Sequence, residues 1–119
     1  MRLRPTQLDV TDLDAAVAFL RDGEEVMLTS HVNCDGDGIG GCLALAGLLR
    51  ELGKSPSIVL QDVPADAYAF LSDFDSIVQS TTPPTRTFDR VVVLDCPEIG
   101  RIGTAIESIA EGAAILNLD

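Results

Sequence analysis

EVMLTS, Glu25 to Ser30, runs into HVNCDGDG, His31 to Gly38, and then into IGGCLALAGLLREL, Ile39 to Leu52, closed by Gly53. The first piece is a short apolar run of strand length, the second is too rich in Gly, Asn and Asp for either regular structure, and the third has the Ala and Leu content of a helix. Strand, loop, helix is the opening half of a βαβ unit. The same alternation extends on both sides. Thr11 can cap a helix to about Arg21 with Leu13, Ala16, Val17 and Leu20 on one face, stopped by Gly23. SIVLQ, Ser57 to Gln61, reads as a second strand. Pro64 then opens a short helix over Ala65 to Leu71, and Ile77 to Gln79 reads as a minor strand. STTPPTRT, Ser80 to Thr87, is a loop, because two prolines do not enter a central strand. RVVVLD, Arg90 to Asp95, is the clearest buried parallel strand. A helix over Ile99 to Glu111, weakened by Gly103, and a strand AAILNLD, Ala113 to Asp119, complete the pattern. The expected class is α/β, a Rossmann-like, mostly parallel sheet flanked by helices.

The chain has 119 residues, 46% of them hydrophobic, which suffices for one core and one domain at most. No apolar run approaches the ~20 residues of a membrane span. Met1 to Val10 carries Arg2, Arg4, Pro5 and Asp9 and lacks the apolar stretch of a signal peptide. The expected setting is therefore the cytoplasm, with no membrane partner. Cys34, Cys42 and Cys96 form no CxxC pair, so reduced thiols are expected rather than disulfides or a zinc ribbon. Eight basic residues against nineteen acidic ones leave a net charge of -11. That balance opposes binding to long duplex nucleic acid, which requires a basic surface. A small anionic substrate stays compatible if bound cations reverse the field locally.

The loop after the first strand admits two chemistries. Gly36, Gly38 and Gly41 fit GxGxxG between strand and helix, and Asp62 lies at a suitable distance to meet a ribose, so a non-hydrolytic Rossmann-type nucleotide-binding module is one reading. Such a loop offers bare amides to a pyrophosphate, whereas here Asp35 and Asp37 would stand beside it. At ~4 Å and an effective dielectric near 20, each like-charge contact costs about 4 kcal/mol. A divalent cation reverses that sign. His31, Asp35 and Asp37 lie within seven residues and suit a manganese- or magnesium-like ion, with imidazole favouring manganese. The plain alternative is a solvated Asp-Gly turn beside a stray histidine; the setting between strand and helix argues for ligands instead.

Ligands of open parallel sheets gather outside the carboxyl ends of the strands. Asp95 closes RVVVLD and Asp119 closes AAILNLD, so both are expected to share a crevice with His31, Asp35 and Asp37. Four carboxylates would match two divalent cations, with Asp95 able to give one oxygen to each. The competing role for Asp95 is a strand-terminal turn starter. Asp62, Asp66, Asp73 and Asp75 are expected to face water or cap the short helix. Arg101, just after the Asp95 loop, could touch a phosphate or simply be solvated.

These segments resemble a known family. TSHVNCDGDGIGGCLAL, Thr29 to Leu45, is similar to the first motif of the DHH phosphoesterases, and VVVLDCPEIGRIG, Val91 to Gly103, to their second. ILNLD, Ile115 to Asp119, resembles the approach to the Asp-His-His triplet that names them. The nanoRNase and phosphoadenosine-phosphate phosphatase branch, which includes linear and cyclic dinucleotide phosphodiesterases, is the nearest in pattern. The resemblance implies His31 and Asp35 on one metal, Asp37 on the other, Asp95 bridging and Asp119 in support. It implies two manganese ions, with magnesium as the alternative, and a catalytic set of Asp35, Asp37 and Asp95. The implied reaction is two-metal hydrolysis of phosphoadenosine phosphate, a dinucleotide or a short oligonucleotide. Cys34 stands where that family often has proline. The two histidines that follow the triplet's acid and the glycine-rich substrate lobe are not in this sequence, so the chain reads as the front part of a DHH domain with weak metal binding and little turnover. An inorganic pyrophosphatase or an exonuclease on longer strands are the other family activities. Oligomeric state is not legible.

Overall fold

A computed structural model describes residues 6–7, 13–62 and 64–118, with the backbone alone for 6–7. It contains β1 (Thr6–Gln7), α1 (Leu13–Arg21), β2 (Glu25–Thr29), α2 (Gly36–Glu51), β3 (Ser55–Leu60), β4 (Val78–Gln79), β5 (Phe88–Leu94) and β6 (Ile109–Leu118). The six strands form one sheet in the order β1-β6-β5-β2-β3-β4. Every pairing is parallel. The expected α/β, Rossmann-like class is what the chain adopts.

Parallel strands covered on both faces should be apolar without alternation, and Val91, Val92 and Val93 are all fully buried. They divide between two cores. Val92 joins Val26, Leu28, Ile58 and Leu60 beneath α2, where Ile39, Cys42, Ala46 and Leu49 point inward at helical spacing. Val91 and Val93 face the other way, with Met27, Phe88 and Ile115, against Ile102 and Ala105.

Three expectations are corrected by the structure. The segment expected as a helix over Ile99 to Glu111 is 3-10 in character, spans Ile99–Ser108 and is broken at Gly103 (φ 65, ψ -139). Only glycine reaches that conformation readily. Residues 109–111 already belong to β6, which loops out beside β5 between the pairs Phe88–Ile109 and Arg90–Ala114, with Gly112 at φ 78. The short helix over Ala65 to Leu71 contracts to a single 3-10 turn, Asp66–Tyr68. On α1, Leu13 and Val17 are exposed, while Ala16 is buried and Phe19 and Leu20 pack on the core. The Arg90 guanidinium stacks 4.1 Å from the Phe19 ring and donates to the Phe19 carbonyl, which holds that side of the helix against the sheet. The Thr11 cap lies outside the described residues.

Chain order places a topological switch beside β2. From β2 the chain moves outward to β3 and β4, then returns to β5 on the other side of β2. The loops leaving β2 and β5 therefore diverge, and a crevice opens at their carboxyl ends.

Candidate metal centre at the sheet switch point

His31 is the second residue of the loop after β2, Asp35 ends that loop, and Asp95 follows β5. One ligand atom from each lies within 4.8 Å of the other two. His31 Nε2 is 3.7 Å from Asp95 Oδ2 and 3.9 Å from Asp35 Oδ1. The other ring nitrogen, Nδ1, lies 2.6 Å from the Val32 carbonyl oxygen. A carbonyl only accepts, so Nδ1 carries a proton and donates, which leaves Nε2 as the ring nitrogen turned toward both carboxylates. A metal-binding histidine is normally fixed through its second nitrogen in this manner.

Each ligand is set by its local backbone. Asp35 is the N-cap of α2, its carboxylate accepting from the Gly38 amide at 3.3 Å, which is why the helix starts at Gly36 rather than at the expected Ile39. A Cβ at Gly38 would lie 2.5 Å from Cys34 Sγ and 2.6 Å from Ser30 Oγ, so the loop closes onto the helix only over a glycine. Asp95 has φ 51, a left-handed conformation that costs roughly 1–2 kcal/mol in a residue with a Cβ. Its amide donates to the Leu118 carbonyl at 3.1 Å, and Asn117 Nδ2 donates to the Cys96 carbonyl at 3.1 Å. The end of β6 thus holds the turn that aims Asp95. Ser30 Oγ donates to the Leu94 carbonyl at 2.7 Å, tying the two loop origins together.

The His31 loop is held from a second side. Its successive amides Val32 and Asn33 donate to the Arg101 carbonyl (2.7 Å) and to Asp62 Oδ2 (2.5 Å). Gln61 Oε1 accepts from the Thr104 amide at 2.9 Å, beside Gly103, where a Cβ would lie 2.0 Å from that same oxygen. Asp62, expected to face water or cap a turn, instead orders the loop. Sequence spacing carried no sign of Asp62, Gln61 or Ser30 in these roles. Asn117 had one: a polar residue inside the apolar AAILNL, buried in the structure.

Not every candidate joins. Asp37 sits exposed in the first turn of α2, outside the three-residue group. Asp119 lies outside the described residues. The remaining group offers two carboxylates and one imidazole nitrogen, a donor set that suits one divalent ion. Fit is supported by the fixed orientation of Nε2 and by the exposure of the carboxylates, with side chains 60% and 44% accessible at Asp35 and Asp95.

An anion has less to bind here. The Gly38 amide, which a pyrophosphate would use, is already taken by the Asp35 carboxylate, and the glycine's open side is filled by Cys34 and Ser30. Burial pushes the Cys34 thiol up, and Asp35, Asp95 and Asp62 push the same way against the opposing hydrogen bond with Ser30. Cys42 is pushed up to about 12, chiefly by burial. Neither thiol is a ready thiolate ligand or nucleophile. A cavity of ≈ 120 Å³ between Val59, Val78, Phe88 and Ser108 lies toward the amino end of β5, away from the cluster.

A scan against protein-family models finds none that matches the chain. A search of curated proteins likewise finds no match. Among the described residues, no helix is long and apolar enough to cross a membrane.

Proposed function

We propose that the protein is a metal-dependent phosphoesterase of DHH type, with manganese as the preferred ion, acting on a small phosphate ester, a dinucleotide or a short oligonucleotide in the cytoplasm. The observation that carries this reading is the convergence of His31 Nε2, Asp35 and Asp95 at the switch point, with Nδ1 already committed to Val32. His31, Asp35 and Asp95 would hold one cation. When bound, a divalent ion supplies Lewis-acid polarisation of a phosphoryl oxygen and lowers the pKa of a coordinated water. The chain's own contribution is positional. Val32 fixes the imidazole tautomer, the α2 cap fixes Asp35, and the β6 end fixes Asp95. Carboxylate oxygens of Asp35 and Asp95 that are open to solvent can accept the proton of an attacking water. A second cation, implied by the resemblance, would need Asp37 or Asp119 to join.

The discriminating experiment is calorimetric titration of manganese into the wild-type chain and into H31A and D95N. One saturable site in the wild type, weakened at least about tenfold in each variant, is the expected result, in line with the loss of a direct ligand. Equal manganese affinity in all three proteins would refute the reading. EDTA should abolish whatever phosphodiester hydrolysis the chain shows; nucleotide binding that survives EDTA would favour the Rossmann-type module instead.

A further inference from the structure

We infer that Arg101 is the phosphate-orienting residue of this site, and that the substrate is recognised through a phosphoryl group shared between the cation and its guanidinium. The inference rests on the phosphoesterase reading and assigns a role that reading leaves open. Three observations carry it. The first is place. The Arg101 carbonyl accepts the Val32 amide at 2.7 Å, so residue 101 lies one hydrogen bond from the neighbour of His31.

The second is rigidity. Gly103, two residues on, has φ 65 and lies so near Gln61 and Val32 that no side chain fits, and Thr104 is tied to Gln61. The Arg101 turn is thereby locked to the metal loop rather than free to wander.

The third is charge. The chain has nineteen acids and eight bases, so an arginine has many carboxylates to choose from. Among the other described cations, Arg50 is engaged with Asp73, Arg86 with Glu25, Lys54 with the Arg21 carbonyl and Arg90 with Phe19. Arg21, whose side chain also lacks a partner among the described residues, ends α1 just ahead of the amino end of β2, at the opposite end of the strand from the His31 loop. Arg101 is exposed and, among the described residues, has neither an ion pair nor a side-chain hydrogen bond. An arginine kept free on the turn that hydrogen-bonds the His31 loop suits an anion that also meets the cation. Its planar fork matches two phosphoryl oxygens, which a lysine ammonium does not.

The test uses the whole chain, loaded with manganese, and inorganic phosphate as the probe. Manganese affinity is measured first for wild type, R101A and R101K, then phosphate affinity for each at saturating manganese. The expected result is unchanged manganese affinity with phosphate binding weakened about tenfold or more in R101A, the loss of charge-assisted hydrogen bonds. R101K should recover only part of it. Phosphate affinity equal to wild type in R101A would overturn the role of Arg101 while leaving the metal site standing. A wild-type chain that binds no manganese would overturn the phosphoesterase reading itself, and this inference with it.

Discussion

Asp95 concentrates the residue-scale argument. It follows β5, whose Val91, Val92 and Val93 are fully buried, adopts φ 51 and faces His31 across 3.7 Å. Backbone strain of this kind persists where surrounding bonds over-determine it, and here the β6 end supplies them. D95G should therefore relax the turn and raise the apo-protein's melting temperature slightly while removing manganese binding, a trade measurable by paired thermal melts with and without the ion. Asp62 makes the opposite contribution. D62A should lower stability by about 1–2 kcal/mol, since the Asn33 amide loses its partner, and D62N should retain much of it; urea unfolding checks the pair. Cys42 sets a pH limit. Burial raises its folded-state pKa to about 12 from the 9.0 of an ordinary thiol, so the stabilisation is fully present below pH 9 and lost as pH climbs toward 12. Each pH unit in that window should cost about 1.4 kcal/mol at most, and C42A should melt with a shallower alkaline decline than wild type.

At the scale of elements, the segment between β5 and β6 governs the site more than its irregularity suggests. A long regular helix there would have carried Arg101 and Thr104 around a cylinder. Broken at Gly103, the segment instead lays its first half against the His31 loop and buries Ile102 and Ala105 under the sheet. G103A meets both a forbidden φ and a Cβ 2.7 Å from Val32 Cγ1. It should destabilise the fold by roughly 2–3 kcal/mol and weaken manganese binding through the displaced loop, read by denaturant midpoint and metal titration on the same protein. The alternation of β2, β3 and β5 was legible in sequence because parallel strands must be apolar on both faces. The 3-10 character of 99–108 was not, because isoleucine and alanine spacing alone cannot tell a helix from two tight turns folded over a core.

Across the whole molecule, a net charge of -11 makes the folded chain repel itself, and Asp35 and Asp95 at the switch point add to that repulsion. A divalent ion that binds the folded state alone raises stability by mass action, about 2.7 kcal/mol at one hundred times its dissociation constant. Manganese should therefore raise the melting temperature of the wild type and leave that of H31A nearly unchanged.

From its residues alone the chain declared an α/β parallel sheet, the strand–loop–helix that bears His31 and Asp35, and the acid at the end of RVVVLD. Periodicity and strand-end position are local properties, written in neighbours along the chain. Tertiary structure decided which acids meet. Asp37, two residues from Asp35, points elsewhere because helix α2 has already begun to turn, while Asp95, sixty residues away, arrives because β5 returns to lie beside β2. Asp62, Gln61 and Asn117 took their roles the same way, through hydrogen bonds that exist only once the sheet has brought distant loops together.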